Sequence, residues 1–472
     1  MKNHIPKISI IIVNHNGKKL LEDCLTSLMK SEYPQDKYEI IVVDNASSDT
    51  SVSYIAKNFP TIKVITLDTN CGFTGANNVG IDHANGEYIV LLNNDTIVDP
   101  DWIRQLVIAA KPERVGIVSS KLLLAVPYVK VLIESSVVQQ SDIDTSTDFS
   151  PRGVLLENVY SENTTNAKIW YKSGFYDEEV MNDITSRWTS GSAEVLLPLT
   201  KDVNNFTFIF HGYPVNHKLD QNITLYLPNN TNRHSVISSH DVHTMTISIN
   251  KKEVTENHIH LVQNAGNVIF SSGYSKDYGS VLRISNKKVE EFYEEDAGQY
   301  DTKKNLLAAC GAAMLIKRKV IEQIGKLDGH YFMYYEDVEF SLRAWQMGWD
   351  IVFAPKAVVY HHHRASTGRE ESSFFISMTE KNHLLFVFTH FPLKICVQEY
   401  IYFCLRLVFA IIKQFISRFR NWDKYAFWRQ RMVGRIEAFI SFHKLIPTTI
   451  YKRFWWSRRY IRLVSNSKGL LY

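Results

Sequence analysis

The chain has 472 residues, of which 45% are hydrophobic and 22% are charged. This composition excludes a wholly disordered protein and predicts two or three domains, each able to bury its own core. The five cysteines are odd in number and form no CxxC pair, which argues against a disulfide framework and against a zinc site. Residues 1–7 lead into an apolar segment without a cleavable leader, so we expect the first domain to be cytosolic.

Charge is distributed unevenly along the chain. Residues 413–472 contain 14 Lys and Arg against only Asp423 and Glu437, while the whole chain has a net charge of +4. The remainder is therefore acidic. A basic tail on an acidic body predicts an anionic surface as a partner.

Residues 1–125 alternate between strand and helix patterns. The predicted strands are Ile8–Val13, Glu39–Val43, Ile62–Leu67, Ile89–Leu92 and Val115–Ser119. The predicted helices between them are Lys18–Lys30, Asp49–Phe59, Thr74–Asn85 and Asp99–Ala110. This alternation indicates βαβ units in a mostly parallel, Rossmann-like α/β sheet, which binds ligands beyond the carboxyl ends of its strands.

Residues 126–262 have a different pattern, with short β-rich runs separated by Asn, Gly and Pro clusters. The pattern predicts an all-β sandwich or partial barrel inserted into the α/β domain. Tyr171, Trp188 and Tyr213 are aromatic residues that either stack on sugars or belong to the β core. The insertion has three possible roles: carbohydrate binding, oligomerisation or shaping of an acceptor groove.

The α/β pattern resumes over residues 263–375, with a predicted helix at Asp337–Met347 and strands at Ile351–Phe353 and Ala357–Tyr360. Residues 376–472 form an aromatic, apolar and basic helical tail. Its most apolar part, Tyr400–Ile416, is interrupted by Arg406 and Lys413, so we expect an interfacial helix rather than a spanning one. The alternative is a helical bundle packed on the catalytic domain, and both can hold.

The aromatic residues of this tail alternate with basic ones, as at Phe427, Trp428 and Arg429. Such a pattern suits an anionic membrane surface and also suits nucleic acid. A lipid-linked acceptor would favour the membrane. We therefore predict peripheral, monotopic attachment to the cytoplasmic face of the membrane and no nucleic-acid partner.

Asp95 follows the buried strand Ile89–Leu92 after two amides, Asn93 and Asn94. A carboxylate at this end of a parallel sheet suits an oxygen-ligated Mg²⁺ or Mn²⁺ that also contacts substrate phosphates. The alternative is an ordinary Asn/Asp turn. The sequence has no GxGxxG and no GxxxxGK[ST] motif, so a metal ion is the better candidate for neutralising phosphates.

Asn14 and Asp44 end the first and second strands, at the same rim as Asp95. A carboxylate there can accept a hydrogen bond from a ribose hydroxyl or a base N–H, although turn chemistry is the alternative. His361–His363 end another predicted strand, and His361 and His363 share a face. A histidine there either joins Asp95 on a metal, touches a diphosphate or is simply a polar strand end.

Glu336 and Asp337 are adjacent carboxylates at a predicted helix start. The helix dipole accounts for part of this placement. The functional interpretation is a general base that deprotonates an acceptor hydroxyl, and Asp337 is the predicted base because Glu336 can equally orient its neighbours.

Taken together, these clusters resemble the family 2 glycosyltransferases with a GT-A fold, and most closely the branch that builds bacterial surface polysaccharides, including rhamnosyltransferases. The resemblance covers roughly residues 7–124 and 264–367. The matching stretches are Ile10–Asn16, Val42–Ser47, Asn70–Gly80, Leu92–Asp95, Cys310–Ala313, Phe332–Glu339 and Pro355–His361 with Ser366–Thr367 downstream.

The resemblance implies a metal-dependent, inverting transfer of a sugar from a nucleoside diphosphate donor to a glycan acceptor, and it favours an acceptor that is lipid-linked. It implies Asp337 as catalytic base and Asp95, the surviving carboxylate of a DxD motif, with His361 as metal ligands. Gly311 and Glu336 would contact the acceptor. The nucleotide sugar would be bound by Asn14, Asp44, Gly72, Phe73, Asn78 and Asn94.

Two other functions remain open. A nucleotidyltransferase also places carboxylates at the rim of a parallel sheet, but would need a basic Gly-rich loop after the first strand, where only Gly17-Lys18-Lys19 is offered. A non-catalytic carbohydrate-binding or scaffold protein would keep the fold, but the intact Asp44, Asp95 and Asp337 argue against it.

Overall fold

A computed structural model describes residues 4–139, 150–161, 167–181, 184–212, 220–238, 241–285, 288–362, 372–420 and 422–466. The chain forms two compact units. The first comprises Met1–Leu123, Gln263–Gly279 and Gly298–Tyr472, and the second comprises Leu124–Val262 and Ser280–Ala297. The predicted boundaries at residues 125/126 and 262/263 differ from this division mainly because residues 280–297 belong to the second unit.

The strands, numbered in chain order, are β1 (Ile8–Asn14), β2 (Tyr38–Asp44), β3 (Lys63–Thr66), β4 (Tyr88–Asn93), β5 (Thr96–Val98), β6 (Val115–Leu124), β7 (Tyr128–Ser135), β8 (Val138–Gln139), β9 (Pro151–Arg152), β10 (Leu155–Ser161), β11 (Trp170–Phe175), β12 (Glu179–Met181), β13 (Ile184–Pro198), β14 (Val203–His211), β15 (Gln221–Tyr226), β16 (Asn232–Ile237), β17 (Val242–Asn250), β18 (Leu261–Asn264), β19 (Asn267–Ile269), β20 (Ser275–Asp277), β21 (Ser280–Ser285), β22 (Lys288–Glu295), β23 (Lys304–Leu306), β24 (Ala313–Lys317) and β25 (Asp350–His361).

The α-helices are α1 (Lys18–Met29), α2 (Ser51–Asn58), α3 (Gly72–Asp82), α4 (Trp102–Ala110), α5 (Arg318–Ile324), α6 (Glu336–Gln346), α7 (Ser373–His390), α8 (Leu393–Arg420) and α9 (Trp422–Asn466). Short 3₁₀ turns lie at Gln35–Lys37 and Lys251–Asn257.

The first unit is built on a mixed sheet with the order β6-β24-β4-β1-β2-β3. β1 is parallel to β2 and β4, and β2 is parallel to β3, whereas β24 is antiparallel to both β4 and β6. β1 and β2 are in register to their last residues, where Asn14 pairs with Asp44. The parallel strands thus bring their carboxyl ends, and the polar residues there, to one rim.

The β-branched residues of the central strands explain why this sheet is buried on both faces. Ile8, Ile10, Ile11 and Ile12 of β1 are fully buried, as expected for a strand in a parallel sheet covered by helices. α1 follows its predicted bounds closely and buries Leu21, Cys24, Leu25 and Leu28, which lie on one face of the helix.

β25 is one continuous strand where the sequence predicted two. Its first half pairs with β23 through Ile351–Phe353, and its last residues pair with β5 through Val359–His361. Pro355 lies between these two ladders, so neither requires the N–H group that proline lacks. The continuity matters because it delivers His361 to β5, directly beside Asp95.

The helical C-terminal region packs on the first unit. Leu385, Phe386 and Val387 of α7 share a core cluster with Tyr331 and Val338. Glu380 of α7 connects the three helices, because it pairs with Arg406 of α8 at 2.7 Å and with Arg435 of α9 at 3.1 Å. The packed bundle, which the sequence left open as the alternative to an interfacial helix, is therefore present. By length and composition alone, residues 393–419 of α8 could also cross a membrane.

The second unit, in its described residues, is dominated by β-strands. One sheet has the order β16-β15-β7-β13-β10-β14-β17, and β11 and β12 also pair with β13. β21 pairs with β22, and β22 pairs with the Leu261–Val262 end of β18, which explains why residues 280–297 belong here. Its core includes Phe206, Phe208 and Phe210 of β14.

The aromatic side chains considered for sugar stacking are taken up by this unit itself. Trp188 is 1% exposed. The ring of Tyr171 is covered by the Arg187 guanidinium at 4.3 Å, and its hydroxyl accepts a hydrogen bond from the Val159 N–H. Both rings therefore serve packing. Tyr213 lies outside the described residues.

Candidate active site

The polar ends of β1, β2 and β4 form one hydrogen-bonded cluster. The Asn14 side-chain amide donates to Asp44 Oδ1 at 3.0 Å, and its carbonyl oxygen accepts from Asn94 Nδ2 at 2.9 Å. The other Asp44 oxygen accepts from the Ser47 N–H at 3.1 Å. All but Ser47 are almost fully buried. Asn14 therefore orients Asp44 and Asn94, two of the other predicted nucleotide-binding residues.

Gly17, which the sequence analysis did not single out, makes room for this cluster. A Cβ added there would lie 2.3 Å from Asn94 Nδ2 and 2.7 Å from Asn14 Oδ1. Only glycine allows the backbone to approach the two amides so closely. The signal was present in the sequence as the Asn-Gly turn that ends β1.

The loop before α3 is organised by Asn45, a second residue that sequence reasoning missed. Its side chain accepts from the Cys71 N–H at 2.8 Å and donates to Asn70 Oδ1 at 2.9 Å and to the Gly72 carbonyl at 3.1 Å. Gly72 has a φ of +71°, and a Cβ there would meet the Phe332 carbonyl oxygen at 2.4 Å. Phe73 follows, half-buried in the first turn of α3.

Asn78 lies on α3, where it holds a distant loop. Its amide donates to the Leu327 carbonyl at 2.9 Å and its carbonyl accepts from the Leu327 N–H at 3.1 Å. Gly72 and Asn78 thus both contact the segment leading to Glu336 and Asp337. The predicted donor loop and the predicted base are connected through the backbone of residues 327–332.

Asp95 and His361 meet at the rim, as the sequence predicted for a shared site. His361 Nε2 lies 3.0 Å from Asp95 Oδ1, and both side chains are about 5% exposed or less. Burial raises the pKa of the Asp95 carboxyl, but the charge and hydrogen bond of His361 outweigh it, so the net pKa lies below its usual value. Asp95 is therefore an ionised carboxylate at neutral pH.

Gln263 fixes the orientation of His361 from the opposite side, and the sequence analysis did not identify it. Its Oε1 lies 2.6 Å from His361 Nδ1. The contact with Gln263 keeps Nε2 turned towards Asp95, where it hydrogen-bonds the carboxylate or, with a cation between the two side chains, would offer its lone pair to that cation. Metal-binding histidines are commonly held in this way by an oxygen on the other ring nitrogen.

The Asp95–His361 pair fits a divalent cation. Adjacent ligands of an octahedral Mg²⁺ with bonds of roughly 2.1 Å are about 3.0 Å apart, which matches the observed separation. Mg²⁺ is typically bound through one or two carboxylates while substrate phosphates and waters complete its shell, and Asp95 supplies one such carboxylate. In the described part of the chain no cluster of three or more His, Cys, Asp or Glu side chains is arranged to hold a metal.

His362 lies next to this pair, and its N–H donates to the Asp95 carbonyl oxygen at 2.9 Å. Burial lowers the pKa of its imidazole. His363, the alternative partner on the face of His361, lies outside the described residues.

Glu336 and Asp337 begin α6. Asp337 Oδ2 accepts from the Gly311 N–H at 2.7 Å, and Oδ1 accepts from the Val338 N–H at 2.7 Å. Burial raises the pKa of Asp337, although these N–H groups oppose the shift. Burial and the Asp337 charge raise the pKa of Glu336 well above its usual value. Asp337 therefore ionises first, and Glu336 stays protonated beside it.

Two adjacent residues, Gly311 and Ala312, connect the two halves of the site. The Gly311 N–H donates to Asp337, and the Ala312 carbonyl accepts from the Asn93 N–H at 2.9 Å. The segment before β24 thus contacts both the Asn93–Asp95 turn and the carboxyl pair. Cys310, just before it, has its thiol pKa raised by burial and by nearby carboxylates.

Two family models match stretches of this chain that include the residues described above. A family model described as Glycosyl transferase family 2 matches residues 9–124, and one described as Glycosyltransferase like family 2 matches residues 248–382. The poly(ribitol-phosphate) beta-N-acetylglucosaminyltransferase TarS of Staphylococcus aureus is 31% identical over 101 residues, which are 21% of this chain and 18% of TarS. The N-acetylglucosaminyl-diphospho-decaprenol L-rhamnosyltransferase of Mycobacterium tuberculosis is 35% identical over 80 residues, 17% of this chain and 26% of that protein.

Solved structures are also among the matches. The TarS structure with UDP-GlcNAc is 25% identical, with a TM-score of 0.23, and the match covers 25% of this chain and 34% of that one. The mannosyltransferase PcManGT from Pyrobaculum calidifontis, with GDP-Man and Mn²⁺, is 12% identical with a TM-score of 0.39, over 93% of this chain and 88% of that one. The chain spans only part of the curated relatives that it matches, between 18% and 36% of their lengths.

Proposed function

This chain belongs to the family 2 glycosyltransferases, and from that premise we propose that it transfers a sugar from a nucleoside diphosphate donor to a glycan acceptor of a cell-surface polysaccharide. One observation carries the proposal. Gly311 and Ala312 contact the carboxylate of Asp337 on one side and the turn of Asn93–Asp95 on the other. A displacement at the anomeric carbon of a sugar phosphate requires a base near the acceptor hydroxyl and a charged group near the phosphates, and Asp337 and Asp95 would supply these at one rim.

The donor nucleoside is assigned to the cluster of Asn14, Asp44 and Asn94, with Gly72, Phe73 and Asn78 forming the adjoining loop and helix. The mutual hydrogen bonds of Asn14 support this assignment, because they hold the Asp44 carboxylate in one orientation. The relatives are named as transferring N-acetylglucosamine, glucose or rhamnose. A hexose or deoxyhexose donor is the proposal that follows.

Mg²⁺ or Mn²⁺ would be held by Asp95 and His361, with Gln263 orienting the histidine. When bound, the ion neutralises the diphosphate leaving group.

Asp337 removes the proton from an acceptor hydroxyl, and Gly311 and Glu336 line the acceptor side. The acceptor oxygen forms a bond to the anomeric carbon while the bond from that carbon to the phosphate oxygen breaks. The electron pair leaves with the nucleoside diphosphate, and the proton stays on Asp337. A single displacement of this kind inverts the anomeric carbon.

The two faces of α8 support membrane attachment. The inner face buries Cys396, Phe403, Ala410 and Ser417, at intervals of seven residues along almost the whole helix. The opposite face presents apolar side chains that are 42–72% exposed. They are Leu393, Val397, Ile401, Leu405, Val408, Phe409, Ile411, Ile412, Phe415, Ile416 and Phe419.

This geometry favours a helix that lies in the membrane interface over one that crosses the bilayer. A 28-residue helix is about 42 Å long, and here one face is packed on α7 and α9 along that length. Arg406, on the packed side, is paired with Glu380. We therefore propose peripheral, monotopic attachment to an anionic membrane on its cytoplasmic face, where α8 would bring the site to a lipid-linked acceptor.

The test is nucleotide release from a panel of sugar nucleotides, with Mg²⁺ or Mn²⁺ and a lipid-linked acceptor, comparing wild type with Asp337→Asn. We expect one donor to be turned over and the substitution to abolish turnover while donor binding is retained. Turnover that the substitution leaves intact contradicts the assignment of the base. A folded wild type that binds donors but turns over none would favour the non-catalytic scaffold, and release of sugar 1-phosphate in place of the nucleoside diphosphate would favour a nucleotidyltransferase.

A further inference from the structure

Helix α7 presents three consecutive polar residues, and each hydrogen-bonds a backbone carbonyl of a loop beside the site. Lys381 Nζ donates to the His330 carbonyl at 3.2 Å, and His383 Nε2 lies 3.1 Å from the Ser272 carbonyl. Between them, Asn382 Nδ2 donates to two carbonyls, those of Met333 and Tyr334, each at 2.7 Å. Asn382 is fully buried.

The two carbonyls belong to an unusual turn. Tyr334 and Tyr335 have φ values of 70° and 71°, and both are bulky residues without a glycine's freedom. Left-handed backbone is unfavourable for L-residues, and it persists only where surrounding contacts hold it. The Asn382 amide supplies such contacts at the first of these residues and at the residue before it.

This turn determines where α6 begins. Tyr335 is the residue immediately before the helix, and Glu336 and Asp337 are its first two residues. The direction of the Asp337 carboxylate, with its hydrogen bonds to Gly311 and Val338, therefore depends on the two left-handed residues. A change of helix start by one residue would rotate the side chain by about 100° around the helix axis.

We propose that Asn382 is a positioning residue for the reaction, which holds the Tyr334–Tyr335 turn so that α6 presents Asp337 to the acceptor. The inference rests on the proposed function only in that Asp337 is the base. Asn382 itself does not touch the reacting atoms. It makes α7, the first helix of the C-terminal region, a part of the catalytic machinery rather than only a connection to the membrane-facing helices.

The sharpest variant is Asn382→Asp, because it keeps the size of the side chain and removes the amide donor. Thr389→Val is the matched control. Thr389 is a buried polar residue of the same helix, and its hydroxyl donates only within the helix, to the Leu385 carbonyl at 2.7 Å. Both substitutions remove buried hydrogen bonding by a residue of α7. Asn382→Asp removes bonds to the Tyr334–Tyr335 turn, whereas Thr389→Val removes a bond within the helix.

With the donor and acceptor that the wild type uses, we expect Asn382→Asp to lower kcat at least tenfold, with the donor KM within about twofold of wild type. We also expect a shift in the acid limb of the kcat–pH profile, which is the range where kcat falls as pH decreases. A displaced Asp337 carboxyl would have different surroundings and therefore a different pKa. Thr389→Val should keep kcat within twofold and leave the limb in place. A folded Asn382→Asp enzyme with wild-type kcat, or an equal loss in Thr389→Val, would overturn the proposal.

Hydrogen exchange gives a readout that needs no activity. Amides of residues 333–340 should exchange faster in Asn382→Asp than in wild type and at the wild-type rate in Thr389→Val. Unchanged exchange in Asn382→Asp overturns the proposal. The wild type could also transfer no sugar while the exchange rates differ as expected. That result would contradict the proposed function and would still support the role of Asn382 in positioning the start of α6.

A second variant keeps the test decisive where Asn382→Asp does not fold. Glycine adopts positive φ without the steric penalty of tyrosine. Tyr334→Gly combined with Asn382→Asp should therefore recover folded protein and part of the lost kcat. Failure of the glycine to recover folding would count against the turn as the point where Asn382 acts.

Discussion

The carboxyls of Glu336 and Asp337 are adjacent in the chain but differ in their surroundings. Asp337 receives two backbone N–H donors, whereas Glu336 is buried with one oxygen that has no hydrogen-bond partner among the described residues. Two titratable groups whose surroundings separate their pKa values commonly have separate roles. We therefore assign the ionised Asp337 as the base and the protonated Glu336 as a hydrogen-bond donor to the sugar acceptor.

We expect kcat to fall with decreasing pH at a value above the ordinary pKa of an aspartate, because burial raises the pKa of Asp337 and the protonated carboxyl cannot act as a base. Glu336 and the buried thiol of Cys310 are the neighbouring titratable groups, and both are held neutral. Glu336→Gln should thus leave the acid limb where it is, since glutamine resembles the neutral acid. A pH–rate profile in which Glu336→Gln removes the limb would reassign the base to Glu336.

The Asp95–His361 pair predicts a metal-dependent change in stability. Addition of Mn²⁺ with a nucleoside diphosphate should raise the Tm of the wild type, because ligands that bind only the folded state stabilise it. Asp95→Asn should lose most of this shift, since an amide is a much weaker ligand than a carboxylate. Asp82→Asn, which removes an exposed carboxylate paired with Lys326, is the control and should keep the shift. An equal shift in Asp95→Asn would contradict the metal assignment.

At the scale of elements, the start of α3 and the segment before α6 meet at Gly72. Its backbone has positive φ, and its Cα faces the Phe332 carbonyl, which also accepts a hydrogen bond from the Thr74 N–H at 3.3 Å. The packing of two segments therefore depends on Gly72, which has no side chain. One is the helix that adjoins the proposed donor site, and the other leads to the base.

Gly72→Ala should lower the free energy of unfolding by about 1–3 kcal/mol, because the new Cβ is strained by the positive φ and clashes with the Phe332 carbonyl. It should also weaken donor binding, since the loop must shift. Gly329→Ala is the matched control, because its Cβ would enter open space in the same segment. Thermal unfolding and donor titration measure both effects. A Gly72→Ala protein as stable as Gly329→Ala would show that the contact can be relieved without loss.

At the scale of the whole molecule, the first unit combines a sheet that carries the site with helices that carry an exposed apolar face. α7 contributes to both, since its core residues pack beside Tyr331 while Glu380 holds α8 and α9. The second unit has its own core and its own strands. The reaction is assigned to residues of the first unit alone.

Replacement of Leu405, Val408 and Phe415 by Gln should release the protein from vesicles that contain anionic lipids, because these residues lie on the exposed face of α8. Val180→Gln with Val242→Gln, which removes exposed apolar side chains of the second unit, should leave binding unchanged. Vesicle co-sedimentation measures the difference. Equal binding of all three proteins would place the membrane contact elsewhere.

The sequence by itself determined the class of fold and the principal polar residues of the rim. Strand–helix alternation and buried β-branched runs predicted parallel pairing, which holds for β1 to β4 and brings the ends of those strands together. The prediction of a mostly parallel sheet was wrong, because β24 comes from a distant part of the chain and runs antiparallel between β4 and β6. Asn14, Asp44, Asn94 and Asp95 therefore lie together, as predicted. The adjacent acidic residues at the start of α6 were also visible, because helix starts follow local rules.

The tertiary structure alone decided which distant residues complete the site. Gln263 reaches His361 across 98 positions of sequence, and Asn382 reaches Tyr334 across 48. Hydrogen bonds between such residues have no periodicity in the sequence, because they depend on how separate elements pack. The same reason applies to the left-handed turn before Asp337. Two bulky tyrosines give no local signal for positive φ, and contacts from distant elements, including the Asn382 amide of α7, surround that conformation.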